Sequence, residues 1–200
     1  MQGLRYTPNL GEENNGDSPS EWRLVPQEYS DRNHHILREA LEGTKCQSIL
    51  EIGVNRSGEK SSTQTLLKHR SPGCFYVGVD IMPKEYLGPL AWTIQCDSSE
   101  HEKVMSFLQE KTGHKRIDFL HIDGWHSVNQ VLKDFAYVSW LSNGGCVVLH
   151  DAGVHPGPVE LLKAIDNDFW DASIFFEDDP HDWGIAVLRR KGDEKCLTKI

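Results

Sequence analysis

The stretch Ser48-Ile49-Leu50-Glu51-Ile52-Gly53-Val54-Asn55-Arg56-Ser57-Gly58 decides the fold. Its first half is a short apolar run, of the kind that fills a strand buried on both faces. Its second half is a glycine turn, which lets backbone approach a ligand closely, and an amphipathic segment near Ser61 to His69 follows as a helix. A strand that feeds a glycine turn and then a helix opens a parallel α/β sheet, whose ligands bind outside the carboxyl ends of the strands. The turn is not G-x-G-x-x-G.

Downstream the alternation continues. Strands are predicted at Phe75–Asp80, Trp92–Cys96, Ile117–Ile122 and Cys146–Leu149, and the opening strand at Ser48–Val54. A helix from about Glu100 to Lys111 has Ser99 and Glu102 at capping-box spacing, with Val104, Phe107 and Leu108 on one face. A second, near Ser127 to Leu141, turns Val128, Val131, Leu132 and Phe135 inward and ends at the turn Asn143-Gly144-Gly145. Past Pro158 a helix carries Val159, Leu162 and Ile165 toward two closing runs, Ala172–Phe176 and Trp183–Leu188. Only Glu177 to Asp182 separate these runs, whereas a parallel crossover needs about a dozen residues, so they form an antiparallel hairpin. Upstream, Asp31 is placed to cap a helix with Ile36, Leu37, Ala40 and Leu41 inward and Gly43 at its end. Residues 1–20 have almost nothing to bury and read as a mobile tail, which leaves 21–200 as one domain. The fold class is α/β: a Rossmann-like, doubly wound, mostly parallel seven-stranded sheet with a C-terminal antiparallel hairpin.

Composition narrows the function. The net charge is −9 with Lys and Arg scattered, which argues against nucleic-acid backbones as partners and favours a small neutral or cationic molecule. The five cysteines are widely spaced without a C-x-x-C pair, so they read as reduced thiols of an intracellular protein. No apolar run reaches the roughly 20 residues that cross a bilayer, and the expectation is a cytoplasmic protein with no membrane partner. A homo-oligomer is compatible with the sequence.

The strand ends carry the chemistry. Asp80 stands 80 − 58 = 22 positions past Gly58, about the separation at which a strand-end carboxylate meets the ribose hydroxyls of an adenosine. Cys96-Asp97-Ser98 ends the next strand, where a carboxylate accepts from an adenine amine and a hydroxyl or N–H meets a ring nitrogen. Helix capping is the alternative role for Asp97 and Ser98. The runs Leu120-His121-Ile122-Asp123-Gly124-Trp125-His126-Ser127 and Val148-Leu149-His150-Asp151 bring two carboxylates and several imidazoles to one crevice. His126 suits a general base because its pKa lies near neutrality. Asp123 and Asp151 could instead cap the segments that follow them. His34-His35 and the tryptophans Trp22, Trp125, Trp140, Trp170 and Trp183 are candidate substrate contacts, with Trp125 favoured because it adjoins a reactive strand end.

From Ser48 through Val77-Gly78-Val79-Asp80-Ile81 to the closing hairpin, about 150 residues, the chain resembles the class I S-adenosylmethionine-dependent methyltransferases. The resemblance implies that Glu51, Gly53, Asn55, Ser57 and Gly58 support the methionine part of S-adenosylmethionine, Asp80 and Ile81 its ribose side, Asp97 and Ser98 its adenine, with Asp123 also beside the cofactor. The I-D-G-x-H-S run and the later H-D pair are similar to the methyltransferase 24 type of small-molecule O-methyltransferase. That likeness implies transfer to a sugar or phenolic hydroxyl, with His126 and Asp123 catalytic. It further implies a divalent metal, Mg²⁺ or Mn²⁺, on Asp123, His150 and Asp151. His150 departs from the pattern, since an oxygen ligand is usual there and imidazole suits Mg²⁺ poorly. Competing readings are an NAD(P)-dependent oxidoreductase, disfavoured by the missing G-x-G-x-x-G, and a non-catalytic Rossmann-like binding module.

Overall fold

The structure, a computed structural model, describes residues 27–54, 61–179 and 182–191. The readings made for residues 1–20, for Trp22 and for Asn55, Arg56, Ser57 and Gly58 lie outside the described residues.

β1 (Ser48–Ile52) is buried along its whole length and pairs in parallel with β2 (Phe75–Asp80) on one side and β4 (Ile117–Ile122) on the other. β3 (Ala91–Gln95) extends the sheet beyond β2, and β5 (Leu141–His150) beyond β4, both in parallel. β6 (Trp170–Phe175) and β7 (Ile185–Arg190) form the closing hairpin, with β7 antiparallel to both β5 and β6. The order is β3-β2-β1-β4-β5-β7-β6, a seven-stranded sheet. Chain direction of the crossovers reverses between β1 and β4, and a doubly wound sheet opens its ligand crevice at that point.

Successive strand residues face opposite sides, so each central strand feeds two cores. Leu50, Ile52, Val77, Val79, Leu120, Ile122, Val147 and Leu149 meet α3 (His101–Thr112), α4 (Val128–Phe135) and α5 (Pro156–Ala164). Ile49, Tyr76, Phe119, Cys146 and Val148 meet α1 (Gln27–Glu42) and α2 (Ser62–His69). Among the described residues no helix is long and apolar enough to cross a membrane.

Four local expectations differ from the structure. Asp31 lies inside α1, which begins at Gln27, and not at the N-cap expected for it. The capping box of α3 does not form: the helix begins at His101, and the Ser99 N–H donates instead to Asp97 Oδ1 at 2.8 Å, an Asx turn that competes with the cap. The helix expected over Ser127–Leu141 stops at Phe135, continues as a 3₁₀ segment through Trp140, and gives way to β5 at Leu141. Asn143-Gly144-Gly145 is therefore an irregularity inside β5, with Gly144 at φ 75° and the β4 register shifted between Ile117 and Phe119, as a bulge requires. In α5 the buried residues are Gly157, Pro158, Leu161 and Ala164, with Ile165 buried at the C-cap and Val159 and Leu162 only half-buried.

Candidate active site

Gly53 ends β1 at φ 84°, and a Cβ there would come within 2.1 Å of the Asp123 carbonyl oxygen, so the chain leaving β1 presses directly on the chain leaving β4. Only glycine fits both demands. The Val54 N–H just beyond it donates to Asp80 Oδ2 at 2.9 Å, while Asp80 Oδ1 accepts from the Met82 N–H at 2.8 Å and Lys84 Nζ lies 3.0 Å from Oδ2. Asp80 thus joins the loops after β1 and β2.

Around these loops runs a cavity of about 550 Å³, within the range of small-ligand sites. Of the residues nominated for the cofactor, Gly53, Asp80, Ile81, Asp97 and Ser98 line it. Trp125 lines it as well and is 53% exposed, while Trp170 belongs to the core. The Ser99 N–H, foremost, lowers the Asp97 pKa. The Ser98 hydroxyl donates to Asp134 Oδ1 at 2.7 Å and accepts from Gln130 Nε2 at 2.8 Å. Gln130 and Lys84 also line the cavity and went unnoticed in the sequence, where each sits on an unremarkable polar position.

Glu51 takes a different place. It is fully buried on the α1/α2 side, where Thr63 Oγ1 donates to it at 2.7 Å, the Tyr76 hydroxyl donates to the same oxygen, and His121 Nδ1 lies 3.0 Å from Oε1. It does not line the cavity. A carboxylate in the interior needs this many partners, and desolvation beside Glu51 pushes the Tyr76 hydroxyl well above its usual pKa.

Beyond the cavity, four titratable groups, Asp123 and His126 after β4, His150 at the end of β5 and His155 at the start of α5, surround Asp151. This residue adopts a left-handed conformation, φ 57°. Its Oδ1 lies 2.6 Å from His150 Nδ1, which is also 3.5 Å from Asp123 Oδ1. Its Oδ2 lies 3.4 Å from His126 Nδ1 and 3.6 Å from His155 Nε2. Burial works to raise the Asp151 pKa, but His150, then His126 and His155, hold it down to about 2. Burial lowers the His126 pKa in spite of the flanking Asp151 and Asp123. From α1, His34 also faces this region: burial, then His150 and His121, lower its pKa, whereas His35 is exposed and pairs with Glu39 at 3.2 Å.

Accessibility separates these groups. The Asp123 and His150 side chains are 15% and 23% exposed, against 6% for His126. His155 escaped the sequence reading although it stands four residues after Asp151, because the two are joined by a turn, left-handed at Asp151, that the sequence does not announce.

Asp123, His150 and Asp151, the set that the family likeness nominates for a metal, have ligand atoms within 4.8 Å of one another. The donor set does not fit Mg²⁺, which demands oxygen ligands in near-ideal octahedral array, because His150 supplies nitrogen.

The family model Methyltransf_24, a methyltransferase domain, matches residues 50–152. No curated protein matches the chain. Among solved structures, the MycE methyltransferase of the mycinamycin biosynthetic pathway, in complex with Mg, SAH and mycinamycin VI, is similar at 19% identity and TM-score 0.56, over 80% of this chain and 50% of that one. CalS11, a TDP-rhamnose 3'-O-methyltransferase of calicheamicin biosynthesis, is similar at 16% identity and TM-score 0.58, over 86% and 88%. SAH-bound PaMTH1 of Podospora anserina is similar at 14% identity and TM-score 0.54, over 79% and 77%. The chain spans about half the length of MycE, and at these identities the likeness is one of fold. With the family model laid over half of its length, from the end of β1 to the turn after β5, this chain belongs to the methyltransferase 24 family of methyltransferase domains.

Proposed function

We propose that the chain is an S-adenosylmethionine-dependent methyltransferase that places its methyl group on a hydroxyl of a small molecule, of sugar or phenolic type. One observation carries the reading. Gly124 and Trp125 line the cavity, while Asp123 before them and His126 after them belong to the titratable cluster, so a single turn after β4 holds the cofactor cleft and the reactive groups side by side. The neighbours support the acceptor class: CalS11 is a sugar O-methyltransferase and MycE is seen with mycinamycin VI.

Chemically, the acceptor oxygen attacks the methyl carbon, the carbon–sulfur bond breaks, and the hydroxyl proton must leave. In-line placement supplies much of the acceleration. The more accessible Asp123 and His150 are assigned the proton, with His126, the base favoured by sequence spacing, set behind them because its Nε2 is buried. No step is routed through Mg²⁺.

The test is ligand-dependent melting followed by turnover. S-adenosylhomocysteine should raise Tm and NAD(H) should not, since binding to the native state alone stabilises it. Conversion of S-adenosylmethionine to S-adenosylhomocysteine should then depend on a hydroxylated acceptor, and stabilisation by NAD(H) alone would overturn the reading.

A further inference from the structure

We propose that His126, Asp151 and His155 form a second, nitrogen-rich site for a divalent ion of the zinc or ferrous class, behind the crevice and distinct from the Asp123–His150 face. The three are buried, and their ligand atoms lie within 4.8 Å of one another. The Asp151 Oδ2 distances of 3.4 and 3.6 Å to the two imidazoles are long for N–H···O hydrogen bonds. They match the edge between two ligands on one tetrahedral ion, about 3.3–3.6 Å when each bond is about 2.0–2.2 Å. The His126 and His155 rings stack, with centroids 4.9 Å apart and planes at 23°, so both flank the same carboxylate oxygen. His126 Nδ1 is the nitrogen turned to Asp151, while Nε2 lies 3.8 Å from Asp123 Oδ1.

The backbone around these groups is built to hold them. The Asp151 carbonyl accepts from the N–H groups of Val154 and His155, folding the chain back so that His155 returns over Asp151. His155 occupies the N-cap position of α5 yet gives its side chain to no capping bond. The Gly157 N–H donates to the His126 carbonyl at 2.9 Å, and a Cβ at Gly157 would come within 2.5 Å of that oxygen. The start of α5 is therefore clamped on the start of α4, and the two histidines are fixed relative to each other. Two imidazoles and one carboxylate select Zn²⁺, Fe²⁺ or Mn²⁺ over Mg²⁺. The alternative is a carboxylate that holds two imidazoles without an ion.

The experiment strips the full chain with a chelator and titrates Co²⁺ as a spectroscopic stand-in, followed by Zn²⁺ and Mg²⁺ by calorimetry. The expected result is a visible Co²⁺ band at one ion per chain, displaced by Zn²⁺ but not by Mg²⁺. His155→Ala and the polar variant His155→Gln should each weaken the ion by about 100-fold or more, given that outer-shell changes alone cost roughly 10–100-fold. His150→Ala should leave the band in place. No stoichiometric band, or a band lost with His150 and kept without His155, overturns the proposal. S-adenosylhomocysteine binding, measured on the same samples, shows that each variant is folded. Its loss in the native chain would sink the methyltransferase reading without touching the metal site.

Discussion

Asp134 on α4 links the cavity lined by Ser98 and Gln130 to the stability of the protein. It is completely buried, accepts from Ser98 Oγ at 2.7 Å and Gln130 Nε2 at 2.9 Å, and its Oδ2 has no hydrogen-bond partner among the described residues. Burial pushes its pKa up to about 7, despite those two donors. An aspartate in the unfolded chain titrates near 3.9, so between about pH 4 and pH 7 the native state holds a proton that the unfolded state has released. A raised folded pKa contributes stability that is fully present below about pH 4 and is lost as pH rises through about 7. Integrated from about pH 5 to pH 8, that loss is on the order of 2–3 kcal/mol. Asp134→Asn keeps a carbonyl acceptor for Ser98 and Gln130 but cannot ionise. Urea unfolding of both proteins across this interval should show the wild type losing roughly 2–3 kcal/mol more than the variant. Parallel stability curves would refute the argument that this carboxyl is held neutral by burial.

Three further outcomes are expected. Asp80→Asn gives up the Lys84 pair and the charge on its bonds to Val54 and Met82, and calorimetry should find S-adenosylhomocysteine bound more weakly by about 1.5–3 kcal/mol; unchanged affinity would remove Asp80 from the ribose position. Gly157→Ala places a methyl within 2.7 Å of Val131 Cγ2 and closer still to the His126 oxygen, so thermal unfolding should show a loss of about 1–3 kcal/mol, and an unaltered Tm would contradict the tight α4–α5 contact. Asp123→Asn and His150→Ala should each slow methyl transfer by about 10²–10⁴-fold while cofactor affinity holds; full turnover in both would shift the proton elsewhere, with His126 next in line.

Much of the architecture is legible in the chain because it rests on local patterns. Buried parallel strands need continuous apolar runs, and Ser48–Ile52, Phe75–Asp80 and Ile117–Ile122 supply them. The hairpin follows from chain length alone, since the residues between Phe176 and Trp183 cannot span a crossover. Asp80 and Asp97 are visible as acids at strand ends, and the fold delivers strand ends to the cavity.

What tertiary structure alone decides is which groups meet. The sheet, its closing hairpin and the strand-end positions of Asp80, Asp97, Asp123 and Asp151 are readable along the chain, because period, spacing and connection length are properties of neighbouring residues. The sequence could not say where the Glu51 side chain goes: a strand apolar on both faces carries no alternation to read, and only the packed sheet shows Thr63, Tyr76 and His121 around that carboxylate. Nor could it separate accessible His150 from buried His126, or bring His155 to Asp151. Those outcomes depend on the left-handed turn at Asp151 and on the seating of α5 against α4 at Gly157, contacts between backbone segments distant along the chain that no side-chain periodicity encodes.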